Sequence, residues 1–308
     1  MKKDILSDLV NIVGDENVVE NEPMSKHTSF KIGGNADFFM TPRTVEQIKA
    51  IITYCVQNTI AYFVIGNGSN LLVHDDGYRG VIIQFYDKFN HIEYTVNEQK
   101  VIVKAQAGVM LGRLGNELMN RSITGFEFAA GIPGTVGGAI MMNAGAYGGE
   151  IKDVIISACL MDSCGNVVKL NNSQLELGYR TSIVSKKEYI VLEAEFQLEM
   201  GNQEEIKNKL DNFTVRRKEK QPLEFPSAGS TFKRPIGHYA GKLISDANLM
   251  GYTVGGAQVS KKHAGFVINT GNATAADIIK LTNDVKNKVK EQFGVELELE
   301  VRKLGFDK

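Results

Sequence analysis

The sequence predicts an α+β, or mixed α/β, chain with several sheets and about two domains. Three observations predict it. After a short first helix the chain runs in a β-α-β order, and further runs of strand character follow instead of a strict alternation. At 308 residues with 43% hydrophobic side chains it can fill about two cores, and wholesale disorder is excluded. Between residues 203 and 220 the apolar content drops into a charged, helix-favouring stretch, the best candidate for a domain boundary.

The elements follow in order. Leu6, Leu9, Val10 and Val13 form one apolar face of a short helix that Gly14 ends. Residues 36–42 read as a strand, after which Thr44 caps a helix with Gln47 as its capping-box partner and Ile48, Ile51, Ile52 and Cys55 as its buried stripe. The apolar run 61–65 before Gly66 reads as a strand buried on both faces, paired in parallel within an α/β layer. Residues 81–85, 91–96 and 101–105 read as strands, and Leu111, Leu114 and Leu118 give 110–121 helical spacing. Strands are expected at 154–161, 167–170 and 189–198, then the charged helix 203–220. Residues 275–293 form a helix on Ile278, Leu281, Val285 and Val289, stopped by Gly294, and 295–301 (VELELEV) alternates as a strand with Glu296, Glu298 and Glu300 on its polar face.

Composition narrows the function. A formal net charge of −1 argues against gripping a nucleic-acid backbone. Cys55, Cys159 and Cys164 have no CxxC spacing, which fits neither a disulfide framework nor a zinc site and suits a reducing cytoplasm. The five histidines form no metal-ligand spacing. MKKDILSDLV lacks the apolar core of a signal peptide. Residues 128–149 are uncharged, but seven glycines and Pro133 mark a buried glycine-rich loop and not a membrane span.

Glycine, 31 residues in all, points to backbone approaching a ligand. GNGSN (66–70) follows a buried strand and is either a tight turn or a phosphate cradle of N–H groups with Ser and Asn side chains; it is neither GxGxxG nor a P-loop. Residues 125–149 hold eight glycines, with Asn143 and Tyr147 as polar handles; they are a packed irregular loop or a bed for an extended ligand. Arg180 after Tyr179 is a solvated charge or an anion ligand. Arg217 and Lys220 share a helix face, and PSAGSTFK (226–233) exposes hydroxyls in a tight bend without a GxSxG motif.

Taken together and in order, HTSFKIGGNAD (27–37), GNGSN, residues 125–150, YR (179–180), RKEKQP (217–222), PSAGSTFKRP (226–235), KHAGFVIN (262–269) and EVR (300–302) resemble the MurB family of bacterial UDP-N-acetylenolpyruvoylglucosamine reductases over nearly the whole chain. The resemblance implies an α+β architecture: an FAD-binding, PCMH-type (vanillyl-alcohol-oxidase-like) fold of two subdomains split near residues 75–80, plus a separate α+β substrate domain. Residues 1–200 would hold FAD, the last strand (300–308) would return to them, and 201–299 would take the substrate.

It implies non-covalent FAD on Gly66, Asn67, Gly68, Ser69, Asn70, Gly131, Gly134, Thr135, Gly138, Ala139, Asn143, Ala144 and Gly145, so His27 need not be an attachment site. The family moves a hydride from NADPH, by way of FAD, to C3 of an enolpyruvyl ether on UDP-N-acetylglucosamine. This makes UDP-N-acetylmuramate for peptidoglycan, and through it serves cell-wall biogenesis, cell shape and division. Motif matching gives Ser230 the proton for C2, and Arg180 and Glu300 the stabilisation of the charge that builds there. Glu300 is either protonated or orients Arg180. Tyr179, Arg217, Lys220 and Lys233 fall near the substrate, and no metal is implied. The family often carries Cys where Ala228 stands, and the span from Arg180 to Lys220 is too short for the substrate-covering loop of one subclass, so the chain resembles the loop-less type. Beside the reductase stand a flavoprotein of the same fold with another substrate, which the Ser230, Arg180 and Glu300 set opposes, and a non-catalytic nucleotide-sugar-binding module, which the two glycine-rich segments oppose.

Overall fold

The computed structural model describes residues 2–306. The chain divides into two compact units. One holds the stretch up to Glu20, Phe38–Asn67 and Gly80–Val215; the other holds Asn21–Asp37, Gly68–Arg79 and the chain from Arg216 on. The expected boundary helix is Gln203–Lys220, and the division falls inside it, between Val215 and Arg216. The units do not follow the ranges 1–200 and 201–299. The terminal strand Arg302–Leu304 does pair, in parallel, with a strand inside 1–200, Leu71–Val73, but both belong to the second unit.

In the first unit, helix Val45–Gln57 starts as its sequence dictates. Thr44 Oγ1 accepts the Gln47 N–H (3.2 Å), while Gln47 Oε1 reaches back one residue beyond the cap, to Arg43 N–H (2.8 Å). Its stripe of Ile48, Ile51, Ile52 and Cys55 is fully buried. One sheet has the strand order Val18–Pro23, Asn35–Met40, Tyr78–Gln84, Tyr62–Ile65, and the ranges of the two units divide its first three strands. Tyr62–Ile65 pairs in parallel with Tyr78–Gln84, which lies between the two strands joined by the helix, so those two are not neighbours. Strand Tyr62–Ile65 ends the sheet, which is why only Ile65 is fully buried and the expected burial on both faces does not occur.

A larger antiparallel sheet orders Val167–Asn171, Ile155–Met161, Ile190–Met200, Lys100–Gln106 and Ile92–Asn97, with Ile123–Thr124 pairing Ile190–Met200. Inner strand Lys100–Gln106 alternates buried Val101, Val103 and Ala105 with more exposed neighbours. These residues join Leu111, Leu114, Phe126 and Phe196 in one core.

In the second unit, antiparallel strands run in the order Ser227–Ser230, Phe266–Asn269, Ala257–Val259, Thr253–Val254. Helix Ala275–Phe293 supplies the expected Ile278, Leu281, Val285 and Val289 to this unit's core and ends at Gly294 in the left-handed region (φ 68°). Its start carries a Thr274–Asp277 capping box. A remote carboxylate adds to it: Asp75 Oδ1 and Oδ2 accept the N–H groups of Ala275 (2.7 Å) and Ala276 (3.0 Å). The strand expected at 295–301 does not form. Only an isolated bridge, Phe232 to Leu299, lies there, and the regular strand begins at Arg302. The alternation is still real as burial, since Leu297 is buried while Glu296 and Glu298 are exposed. Among the described residues no helix is long and apolar enough to cross a membrane.

Candidate active site

In the first unit the two glycine-rich segments meet. Gly66 lies so close to Thr135 that a Cβ there would stand 2.2 Å from Thr135 Oγ1. Asn67 Nδ2 donates to Pro133 O (2.8 Å), and Gln84 Nε2 to Gly66 O (3.1 Å). Residues 125–149 are not a loop throughout. Thr135 begins a short helix, Val136–Met141, and Gly145–Ala146 pairs with Gly149–Glu150. Glycine and alanine hid that helix from pattern reading, because they leave no apolar periodicity. Gly134 O accepts the Leu111 N–H (3.0 Å), and Val136 and Gly137 donate to Val109 O (2.8 Å) and Ala107 O (2.9 Å). Thr135 and Ala139 are buried; Gly131 and Gly134 are half-buried. At exposed Gly138 an added Cβ would find only Thr135 Oγ1, at 3.8 Å, so bare backbone faces open space. Such backbone fits the phosphates of a dinucleotide.

Asn143 is 1% exposed, and its amide is committed within the protein. Nδ2 donates to Glu150 Oε2 (2.8 Å) and Gly178 O (3.2 Å), and Oδ1 accepts the Lys152 N–H (2.9 Å). Tyr147 likewise turns inward, donating to Phe213 O (3.1 Å) and stacking on the Phe213 ring (4.2 Å). The two expected handles therefore brace the segment. Ala144 N–H donates to Ala139 O (2.8 Å), and Gly145 pairs with Glu150.

Arg180 sits at φ 54° in a tight turn closed by Gly178 and Thr181, its guanidinium 5.4 Å from the ring centroid of exposed Tyr179. L-residues rarely adopt this backbone, and here the closed turn holds it. The hydrogen bond from Lys152 (2.8 Å) holds the Glu150 carboxyl below its ordinary value; Asn143 and the charge of Arg180 add to this, against the opposing effect of burial.

In the second unit, Gly68 has φ 60°, and a Cβ there would meet His27 O at 2.0 Å. Ser69 is half-buried. Ser230 ends strand Ser227–Ser230 and is exposed. A register shift between Ser227 and Ser230, with Gly229 at φ 72°, re-aims it. The next residue, Thr231, is buried. Its Oγ1 accepts the Val267 N–H (2.9 Å), its N–H donates to Gly265 O (2.9 Å), and its carbonyl accepts the Glu300 N–H (2.9 Å). Ser230 and Glu300 are thus joined through one residue. On the other side, Asn70 Nδ2 donates to Glu300 O (3.0 Å).

Lys233 is paired with Glu298. Arg217 Nε donates to Gln221 Oε1 (2.9 Å), and Lys220 is exposed. Burial pushes the His263 imidazole down toward its neutral form, with Nδ1 accepting the Gly265 N–H (3.1 Å). Sequence reading missed Thr231 and Asp75, and assigned Asn70 to phosphate alone; the spacing of a single chain carries no signal for contacts so distant along it.

Residues 36–171 match the family described as FAD binding domain, and residues 221–304 match the one described as UDP-N-acetylenolpyruvoylglucosamine reductase, C-terminal domain. Over 305 residues the chain is 54% identical to the UDP-N-acetylenolpyruvoylglucosamine reductase of Lachnoclostridium phytofermentans, covering 99% of this chain and 98% of that one. Among solved structures it is similar to UDP-N-acetylenolpyruvylglucosamine reductase (MurB) from Thermus caldophilus, with TM-score 0.78 and 32% identity over 93% of this chain and 98% of that chain. Alkyldihydroxyacetonephosphate synthase shares the fold of 64% of this chain, with TM-score 0.51 and 14% identity, over 40% of its own length. The expected α+β architecture with an FAD-binding domain is borne out.

Proposed function

The chain belongs to the UDP-N-acetylenolpyruvoylglucosamine reductase family, and from that premise we propose how its own residues carry the reaction. It is an FAD-containing oxidoreductase that reduces UDP-N-acetylglucosamine enolpyruvate to UDP-N-acetylmuramate in peptidoglycan precursor synthesis, with NADPH as co-substrate. FAD, when bound, relays the hydride from NADPH to the enolpyruvyl carbon.

The chain's residues supply the rest. Bare backbone at Gly66, Gly68, Gly138 and Gly145, with Ser69 and the turns through Gly131, Gly134, Thr135, Ala139 and Ala144, holds the dinucleotide; Asn67, Asn70 and Asn143 brace those turns. As a hydride reaches C3, negative charge builds at C2 and spreads into the adjacent carboxylate. Arg180 and Glu300 meet that charge, and the Ser230 hydroxyl delivers a proton to C2. A serine hydroxyl is a weak acid in water, so proximity and the basicity of the carbanion supply the drive. Tyr179, Arg217, Lys220 and Lys233 bind the substrate's anionic groups; Lys233 exchanges Glu298 for them. The observation that best supports the assignment is the bond from Glu300 N–H to Thr231 O, next to Ser230. The partners are small molecules, with no nucleic acid or obligate protein, and the compartment is the cytoplasm.

The test is an anaerobic flavin spectrum. NADPH is expected to bleach the visible band, and the enolpyruvyl UDP-sugar to restore it. Ser230→Ala should keep FAD and bleaching yet slow the restoration by about 10²–10⁴-fold, the usual contribution of a proton donor. Parent protein that bleaches and is not restored would refute the substrate; Ser230→Ala restored at the parent rate would refute the donor.

A further inference from the structure

We propose that Asn70 is a positioning residue for Glu300, tying the dinucleotide loop to the carboxylate that serves C2. The inference rests on the proposed roles of Glu300 and Ser230. Its grounds are three hydrogen bonds within the second unit. Asn70 Nδ2 donates to Glu300 O (3.0 Å), Arg302 N–H donates to Asn70 O (3.0 Å), and Glu300 N–H donates to Thr231 O (2.9 Å).

The geometry has a particular form. Arg302–Leu304 pairs in parallel with Leu71–Val73, Arg302 opposite Leu71. In a regular parallel ladder the next bond back would run from the backbone N–H of Asn70 to Glu300 O. Here the Asn70 side-chain amide fills that rung. The strand end is thereby extended to residue 300 while the main chain of 68–70 turns away, with Gly68 at φ 60°. Glu300 is held at both backbone groups, its N–H on the Ser230–Thr231 strand and its carbonyl on the loop. Removing the amide releases one of these anchors and leaves the carboxylate intact.

The experiment compares Asn70→Ala and the isosteric Asn70→Asp with the parent. FAD content, the rate of bleaching by NADPH and the rate of restoration by the enolpyruvyl UDP-sugar are measured separately. Deuterium uptake in the flavin-free chain is followed over residues 299–303. Restoration should slow by about 10- to 100-fold, the range for one lost hydrogen bond and a misplaced group. Both rates are read per bound FAD, because the loop that Asn70 braces also holds the dinucleotide; on that basis bleaching should slow far less than restoration, and uptake over 299–303 should rise. In a Glu300→Gln background, Asn70→Ala should cost less than about twofold more, because the anchored group is already gone. Equal slowing of both half-reactions per bound FAD, unchanged uptake, or an additive loss with Glu300→Gln would overturn the inference while the functional reading stands. A parent whose colour is never restored overturns that reading, and this inference with it.

Discussion

Gly66→Ala tests whether the two glycine-rich segments are joined by close approach. The new Cβ would stand 2.2 Å from Thr135 Oγ1, 3.1 Å from its Cγ2 and 3.2 Å from its Cβ. Contacts below 3.0 Å force something to shift, and Thr135 is only 2% exposed. Overpacking of this kind costs about 1–3 kcal/mol. At about 2–4 °C per kcal/mol, as for chains of 150–250 residues, the melting temperature of the flavin-free protein should fall by roughly 2–12 °C.

The partner gives the reasoning its control. Thr135→Ala removes Oγ1 and Cγ2 and leaves a single tight contact, so Gly66→Ala should cost about 1–2 kcal/mol less in that background. Thermal melts of the parent, both single variants and the double variant close the cycle, and visible absorbance reports bound FAD. Equal destabilisation by Gly66→Ala in both backgrounds would refute the argument. Gly68 offers no such rescue, since its obstacle is the backbone oxygen of His27 at 2.0 Å and its φ is 60°.

Two further outcomes follow from the fold. Asp75→Ala removes the acceptor for the Ala275 and Ala276 N–H groups and should destabilise the protein by about 1–2 kcal/mol in a denaturant melt; Asp75→Asn should recover part of that. Burial pushes the Cys55 thiol up to about 12, so the native chain should resist alkylation there at pH 8.5 while exposed Cys164 reacts. Because the folded value is raised, the contribution of Cys55 to stability is complete below the unfolded value of about 8.5 and falls by about 1.4 kcal/mol per pH unit above it; Cys55→Ala should make the fall in stability from pH 8 to 10 shallower by about that amount, leaving the part due to Cys159.

Helices were legible wherever the periodicity was carried by large side chains. The spans 203–220 and 275–293 match to the residue, because charge in one and the Thr274–Asp277 box with Gly294 in the other mark their ends. Helix Val136–Met141 was not legible, since its glycines and alanine carry neither stripe nor propensity. Alternation in VELELEV reported burial correctly and strand pairing wrongly, because only Phe232 and Leu299 bridge there. The parallel pair was sound as a motif, but its partners depended on which strand entered the sheet between the two joined by the helix. In the site, glycines marked the segments where backbone is closely approached. Which asparagine serves a ligand and which serves the fold depended on carbonyls up to 230 residues away, as Asn70 shows.

Asn143 makes the same point about Arg180. A guanidinium can meet an anion only if it is aimed, and Arg180 is aimed from its own backbone at φ 54°, a state that costs about 1–2 kcal/mol in L-residues. That cost has to be met by the surrounding turn. Gly178 and Thr181 exchange two backbone bonds (3.1 and 3.3 Å), and the Gly178 carbonyl also accepts from Asn143. Asn143, at φ 44°, fits the left-handed region better than most residues, and it ties the same turn to Glu150 and to the Lys152 N–H. By donating to the half-buried Gly178 carbonyl, Asn143 helps fix the direction of the full charge on Arg180, on which the proposed role of that residue depends. Whatever Asn143 offers a dinucleotide, its three bonds hold the turn that carries Arg180, and a substitution there would loosen both.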